Sequence, residues 1–311
     1  MKILLTGSNG FVGRVLLPLL EECSEVLTIS ARHDAECSEY IRSEYDDTSL
    51  ARLIKLYKPD KIIHLAGVMK SESPDAYYRV NCHYAQTILS VARADPKRPQ
   101  VILIGSAAEY GINYVDSELF REEQDGIPVN YYGISKLAQT KLGLWYQRNG
   151  LPVTILRVFN LTGPGQGIEF VLGRVVNYIG QYATQFTSQS SINLPLQTGF
   201  LGDQRDFLDV RDFCGLLRNI SCMDYKEDYS LLNVCTGSGI KVRDLVEELL
   251  LLRDIPYSVV EEKANSNQTP TAIVGSPKKF IQFYGSSLVF DSGRTLRAML
   301  DEVADSDTVT S

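Results

Sequence analysis

The opening run MKILLTGSNGFVG constrains the fold more than any other stretch of the chain. Met1–Leu5 is apolar and strand-like. Gly7, Gly10 and Gly13 follow at G-x-x-G-x-x-G spacing, one residue longer than the commoner G-x-G-x-x-G, and Gly10–Glu22 continues with helical periodicity. A strand that turns on glycine straight into a helix leaves the first helical amides without intrahelical partners and aims them at one point. That end carries partial positive charge, and glycine lets phosphates approach the backbone closely. Gly7, Asn9, Gly10, Phe11, Val12 and Gly13 therefore read as contacts to a dinucleotide pyrophosphate.

The rest of the first half keeps the same rhythm. Glu25–Ser30, Lys61–Leu65, Gln100–Ile104 and Val153–Val158 read as strands, and Thr48–Tyr57, Tyr77–Ala94 and Tyr131–Asn149 as helices. Such alternation predicts an α/β fold: a Rossmann-like, doubly wound parallel sheet with ligands at the carboxyl ends of its strands. Residues 1–162 are assigned to this cofactor-binding domain, with the chain returning to the sheet within 203–234, near Phe207–Val210 and Leu231–Val234. Past Thr162 the alternation lapses and Gly, Pro, Ser and Gln become frequent. Residues 163–202 and 235–311 are read as a smaller C-terminal substrate-binding lobe, with a helix at Val242–Leu252 and a frayed polar tail at Ala304–Ser311.

Composition excludes several classes of function. A formal net charge of −7 over 311 residues argues against a nucleic-acid binder, which needs clustered Lys and Arg. No apolar run approaches the ~20 residues of a membrane span. MKILLTG reaches glycine before it could act as a signal segment, so a cytoplasmic location is expected. The six cysteines show no CxxC spacing and fit reduced, mostly buried thiols. His33, His64 and His83 form no ligand spacing, and no metal is expected.

The second strand ends Thr28-Ile29-Ser30-Ala31-Arg32, with Ser30 where an NAD site usually carries an acid for the ribose 2′-hydroxyl. A hydroxyl and a forked guanidinium suit a 2′-phosphate instead, so NADP(H) is expected, with NAD(H) as the alternative. The plainer reading of Arg32 is a solvated loop residue.

Asn130-Tyr131-Tyr132-Gly133-Ile134-Ser135-Lys136 contains Tyr-x-x-x-Lys. Positions i and i+4 share a helix face, so the Tyr132 hydroxyl and Lys136 ammonium can address one pocket. A free phenol titrates near about 10, and a neighbouring cation would favour its phenolate. Tyr131 competes for the role, but its i+4 partner is Ser135.

Taken in order, the glycine trio, Ser106 in GSAAEYG, YYGISKLAQ, FNLTGPGQ, RDFLDVRD and NVCTGSG resemble the extended short-chain dehydrogenase/reductases, the epimerase/dehydratase group. Within it the chain is most similar to GDP-4-keto-6-deoxy-D-mannose reductases. That resemblance implies that Ser106 hydrogen-bonds the substrate carbonyl, Tyr132 protonates it, and Lys136 holds the nicotinamide ribose. It places Leu65, Ala66 and Gly67 along the cofactor groove, Asn81 facing the site, and Glu44 and Tyr45 at the adenine, where the family's usual residue is Asp. Ser106, Ala107, Ala108, Asn160 and Arg205 would meet the nucleotide-diphosphate sugar. Asn160 could instead cap a turn, and Arg205 could pair with Asp206 or Asp209. A homodimer through Tyr77–Ala94 and Tyr131–Asn149 is also implied.

The two alanines of GSAAEYG narrow the chemistry. Similar 4,6-dehydratases carry acids directly after the catalytic Ser or Thr, and Ala107 and Ala108 have no proton to give. Glu109 is read as pointing to the opposite face, as strand alternation would have it. The superfamily's 3,5-epimerases need Cys and His, but no cysteine lies near Ser106 in the chain and no histidine follows FNLTGPGQ. Reduction of a C4 ketone by NADPH is therefore expected. The rivals are a 4-epimerase with tightly bound NAD and a non-catalytic NADP-sensing regulator. One departure concerns the nucleotide: Asn265–Gly275 lacks the arginine that similar reductases carry there.

Overall fold

The computed structural model describes residues 1–29, 47–114, 117–186, 195–255, 260–262 and 269–308. The first half runs β1 (Lys2–Thr6), α1 (Phe11–Glu21), β2 (Glu25–Ile29), α2 (Asp47–Tyr57) and β3 (Lys61–His64). It continues through α3 (Pro74–Tyr77), a π-helical segment Tyr78–His83, α4 (Tyr84–Ala94), β4 (Gln100–Ser106), α5 (Tyr131–Arg148) and β5 (Val153–Val158). The second half has β6 (Asn160–Thr162), α6 (Val171–Phe186), β7 (Leu196–Thr198), β8 (Gln204–Arg205), β9 (Phe207–Asp209), α7 (Val210–Cys222) and β10 (Leu231–Val234). β11 (Ile240–Lys241), α8 (Val242–Leu251), β12 (Val260–Glu262), β13 (Ala272–Ile273), α9 (Lys278–Tyr284) and α10 (Ser292–Thr308) complete it.

Six strands form one parallel sheet in the order β10-β5-β4-β3-β1-β2. Period-2 alternation sends Ile3, Leu5, Ile63, Ile102 and Leu156 into a core under α1 and α7, with Leu16, Leu20, Phe213 and Leu217. Leu4, Ile62, Leu103 and Ile155 point the other way, into a core with Leu50, Ile88, Leu89 and Tyr146 of α2, α4 and α5. A third core joins α6, α8 and α10 through Val175, Ile179, Leu245, Leu249, Leu296 and Met299. Strand order reverses between β1 and β3, which opens a crevice at their carboxyl ends.

Two expectations about the second half change. Leu231–Val234 joins the sheet as β10, but Phe207–Asp209 does not, pairing instead with β6 in a separate two-stranded sheet. Only Phe159 separates the end of β5 from the start of β6, so Phe207–Asp209 pairs just beyond the main sheet. The tail expected to fray from Ala304 is helical through Thr308. Leu296, Met299 and Leu300 anchor α10 in the third core, and propagation of a helix from an anchored turn is easy.

Candidate active site

The glycine loop sits in the crevice. Gly7 adopts φ +75°, and a Cβ there would lie 2.6 Å from the Ala66 amide nitrogen, so β1 and the segment after β3 approach as only glycine allows. A Cβ on Gly13 would lie 2.3 Å from the Gly7 carbonyl oxygen. The N-cap of α1, Gly10, contributes no side-chain cap, which leaves the first amides of the helix open to an anion. Leu65 N donates to Thr6 O at 3.2 Å and Ala66 N to Thr6 Oγ1 at 3.3 Å, fixing the facing wall. These residues fit a dinucleotide: narrow, glycine-lined and helix-ended. Ser30, Arg32, Glu44 and Tyr45 lie outside the described residues.

Asn81 does not face an open site. It is fully buried in the π-helical segment, where Nδ2 donates to Val68 O and Ser135 Oγ, and Oδ1 accepts from Val68 N at 2.8 Å. Its amide is spent tying the Leu65–Val68 wall to α5, so its part is to position that wall.

Ser106 ends β4. Its Oγ accepts from Ala108 N at 3.2 Å, and its side chain lies near enough to the Tyr132 hydroxyl to favour that group's phenolate. Tyr132 opens α5 behind Asn130, whose side chain caps the helix by accepting from Gly133 N at 2.8 Å. Tyr131 is 52% exposed and stacks on Tyr77. Burial pushes the Tyr132 phenol above its ordinary value, the neighbouring Ser106 side chain opposes this, and the Glu109 charge adds to it. The expected acidification by lysine is thus not what dominates around Tyr132: burial does, and it keeps the phenol protonated. Lys136 is buried and its ammonium is pushed down to about 8 by that burial, against the pull of Glu109 and Cys82.

Several partners were invisible in sequence. Lys136 Nζ donates to Gln139 Oε1 at 2.8 Å, and Gln139 Nε2 donates to Ile104 O at 3.1 Å, anchoring the ammonium to β4. The one signal was Gln139 at i+3 in YYGISKLAQ. His64 is buried beside Lys136 with Nδ1 on Thr6 Oγ1 at 2.8 Å, and burial holds it down at about 3. Cys82 is buried too, its thiol donating to Ser135 O, so a cysteine and a histidine do approach Lys136 in space.

Residues 107–109 form a 3-10 turn, not a strand, which corrects the reason for setting Glu109 aside. Its carboxylate folds back beneath the turn, Oε1 accepting from Ser106 N at 2.8 Å and Oε2 from Arg157 Nε at 2.7 Å. Both side chains are buried, 0% and 3% exposed, and the Arg157 guanidinium also lies 4.5 Å from the Tyr110 ring centre. Glu109 therefore holds Ser106 in place and is bound to a counter-charge. Ala107 is buried and Ala108 half-buried beside it.

Asn160 donates weakly to Asp206 O at 3.3 Å from the start of β6. Arg205 pairs neither with Asp206 nor with Asp209. Its Nη2 meets Asp203 Oδ2 at 2.9 Å, and Nη1 donates to Gln204 O and to Thr271 O and Oγ1. Asp206 instead gathers Thr236, Gly237 and Gly275, and Asp209 binds Arg211 and Thr295. Thr271, in the segment expected to carry an arginine, thus props up Arg205. Among the described residues no cluster of His, Cys, Asp and Glu could hold a metal ion, and no helix is long and apolar enough to cross a membrane.

The profile of the NAD dependent epimerase/dehydratase family matches residues 3–227, from β1 to the segment before β10. The chain belongs to this family. A GDP-6-deoxy-D-talose 4-dehydrogenase from Aggregatibacter actinomycetemcomitans is 29% identical over 311 residues, with 97% of each chain covered. A GDP-6-deoxy-D-mannose reductase from Pseudomonas aeruginosa is 27% identical, covering 97% of this chain and 96% of that one. The solved structure of RMD from Pseudomonas aeruginosa complexed with NADPH superposes with a TM-score of 0.82 at 25% identity, covering 98% and 99% of the two chains. In this epimerase/dehydratase member, Gly7 and Ala66 approach each other at the carboxyl ends of β1 and β3, Ser106 ends β4 and Tyr132 opens α5.

Proposed function

We propose that this protein is an NADPH-dependent reductase of the C4 ketone of a nucleotide-linked 4-keto-6-deoxy sugar. One observation carries the reading. Tyr132, kept protonated by burial, stands beside Ser106, whose next two residues are alanines and whose third, Glu109, is tied to Arg157. A site built this way can protonate a carbonyl oxygen but offers no acid from that turn to expel a hydroxyl. The kinship with a GDP-6-deoxy-D-mannose reductase and a GDP-6-deoxy-D-talose 4-dehydrogenase supports the same substrate class.

The loop of Gly7, Gly10, Phe11, Val12 and Gly13 would hold the pyrophosphate, and Leu65–Gly67 the facing side of the cofactor. NADPH, when bound, supplies the hydride. Ser106 orients the ketone oxygen, Tyr132 delivers its proton to that oxygen, and Lys136, steadied by Gln139, holds the nicotinamide ribose. Asn160 and Arg205 would meet the diphosphate, Arg205 being held by Asp203 and Thr271. A cytoplasmic homodimer belongs to the same proposal. Its support is the outer face of α5, where Ile134 and Trp145 are 39% and 51% exposed.

The test is a panel of GDP-, dTDP-, CDP- and UDP-linked 4-keto-6-deoxy sugars with NADPH absorbance followed. Consumption with at least one of them is expected. If none oxidises NADPH while a saturated sugar nucleotide is epimerised on retained NAD, the reductase reading fails.

A further inference from the structure

Two exposed thiols stand at neighbouring helix ends where the sequence suggested only core filler. Cys82, Cys214 and Cys235 are buried, whereas Cys23 and Cys222 are free and exposed; Cys37 lies outside the described residues. Cys23 stands two residues past the end of α1, and Cys222 is the last residue of α7. These helices pack side by side, and contacts along their length bring the ends together. The Cys214 thiol donates to Val12 O at 3.5 Å, and Arg218 Nη2 reaches Glu22 Oε2 at 3.8 Å. Cys222 lies one turn beyond Arg218 on the same face of α7, and Cys23 directly follows Glu22, so the Arg218–Glu22 pair sets the two cysteines at neighbouring helix ends, near enough for Cys222 to act on the Cys23 thiol.

We propose that Cys23 and Cys222 form a reversible dithiol/disulfide site, oxidised by a peroxide, that staples the end of α1 to the end of α7. The surroundings suit a nucleophilic sulfur. Burial opposes ionisation of Cys23, but the neighbouring Ser24 hydroxyl, Arg218 guanidinium and Cys222 thiol together bring it below its ordinary value. That is the direction that makes a thiolate available at neutral pH. An open hollow lined by Met1, Ser24, Glu25 and Tyr57 gives solvent access to Cys23.

The chemistry balances with hydrogen peroxide as the oxidant. The Cys23 thiolate attacks one peroxide oxygen, the O–O bond breaks, and hydroxide leaves and takes a proton to become water. The resulting sulfenic acid is attacked at sulfur by the Cys222 thiolate. An S–S bond forms, the S–O bond breaks, and the second oxygen leaves as water. Two thiols lose two electrons and the peroxide gains them; a dithiol reductant reverses the change by exchange. The site lies at the far end of α1 from Gly10, about 16 Å at the rise of an α-helix, so it is separate from the chemistry at Ser106.

The full chain is treated with hydrogen peroxide, quenched by alkylation, digested without reductant and analysed by mass spectrometry. The expected result is a peptide pair joined through Cys23 and Cys222, lost on adding dithiothreitol, with a higher melting temperature for the oxidised form because a long loop is closed. In urea the same link should form at least ~10-fold more slowly, since the fold no longer supplies the local thiol concentration. Cys222→Ser should leave Cys23 as a sulfenic acid that dimedone traps. The proposal is overturned if both thiols stay alkylatable in protein that circular dichroism shows to be folded. It is equally overturned if they oxidise without joining, or join only between two chains.

Discussion

Replacing Arg157 by Met would leave the Glu109 carboxylate fully buried with the Ser106 amide as its remaining partner. In the native chain that carboxylate is 0% exposed and its counter-ion 3% exposed, at 2.7 Å. Removing one partner of so buried a pair costs about 3–5 kcal/mol. For a domain of this size, each kcal/mol lowers the melting temperature by roughly 2–4 °C, so a fall of roughly 6–20 °C is expected. Adding Glu109→Gln to Arg157→Met removes the orphaned charge while keeping an oxygen for Ser106 N, and should restore at least ~2 kcal/mol of that loss. Glu109→Gln alone should keep turnover within about threefold once corrected for folded fraction, because its role is to hold the Ser106 backbone rather than to move a proton. Thermal unfolding by circular dichroism on the two singles and the double completes the cycle. If Arg157→Met melts within 2 °C of wild type, or the double variant shows no recovery, the reasoning about a charge-locked turn under Ser106 is wrong.

Other consequences follow from the same site. Tyr132→Phe should lower kcat by at least ~10²-fold while NADPH binding, read by fluorescence, changes little. Lys136 must be an ammonium to do its work, and its folded value is about 8, so kcat/KM for NADPH should fall as pH rises through about 8. His64 is held at about 3, far below its unfolded value of about 6.5, so the unfolded chain binds the extra proton between those values. Stability from this group is therefore lost as pH falls: about 2 kcal/mol between pH 7 and pH 5, read from urea midpoints as a shallower slope in His64→Gln. Gly7→Ala, with φ +75° and a Cβ 2.6 Å from a backbone nitrogen, should abolish NADPH retention and lower the melting temperature, whereas Gly285→Ala, with nothing within 4 Å, should cost only its left-handed backbone.

What the sequence made legible was local. The G-x-x-G-x-x-G turn and the Tyr132/Lys136 pair depend on contacts within one turn or one helix, and spacing encodes those directly. The wall that faces the glycines follows from strand order, which the alternation also implies. Contacts between distant segments were not legible. Glu109 finds Arg157 across 48 positions, and Arg205 finds Thr271 across 66 while ignoring the nearer Asp206 and Asp209. Strand alternation misplaced Glu109 because a 3-10 turn starts immediately after Ser106, capped by that same serine. The return strand at Phe207–Val210 was read into the main sheet because a short apolar run such as Phe207, Leu208 and Val210 says nothing of which edge it will meet. Cys23 and Cys222 counted as core because a free thiol is usually buried, and only the packing of α1 on α7 brings them out together.

The central claim is that hydride ends on the ring carbon whose oxygen Tyr132 protonates. NADPH carrying deuterium at the transferred position of its nicotinamide, incubated with the keto sugar that the panel selects, tests it most directly. The account predicts one deuterium on C4 of the product sugar for each NADPH consumed, and none with Tyr132→Phe. Sugar conversion with no label at C4 and no NADPH consumed would contradict it.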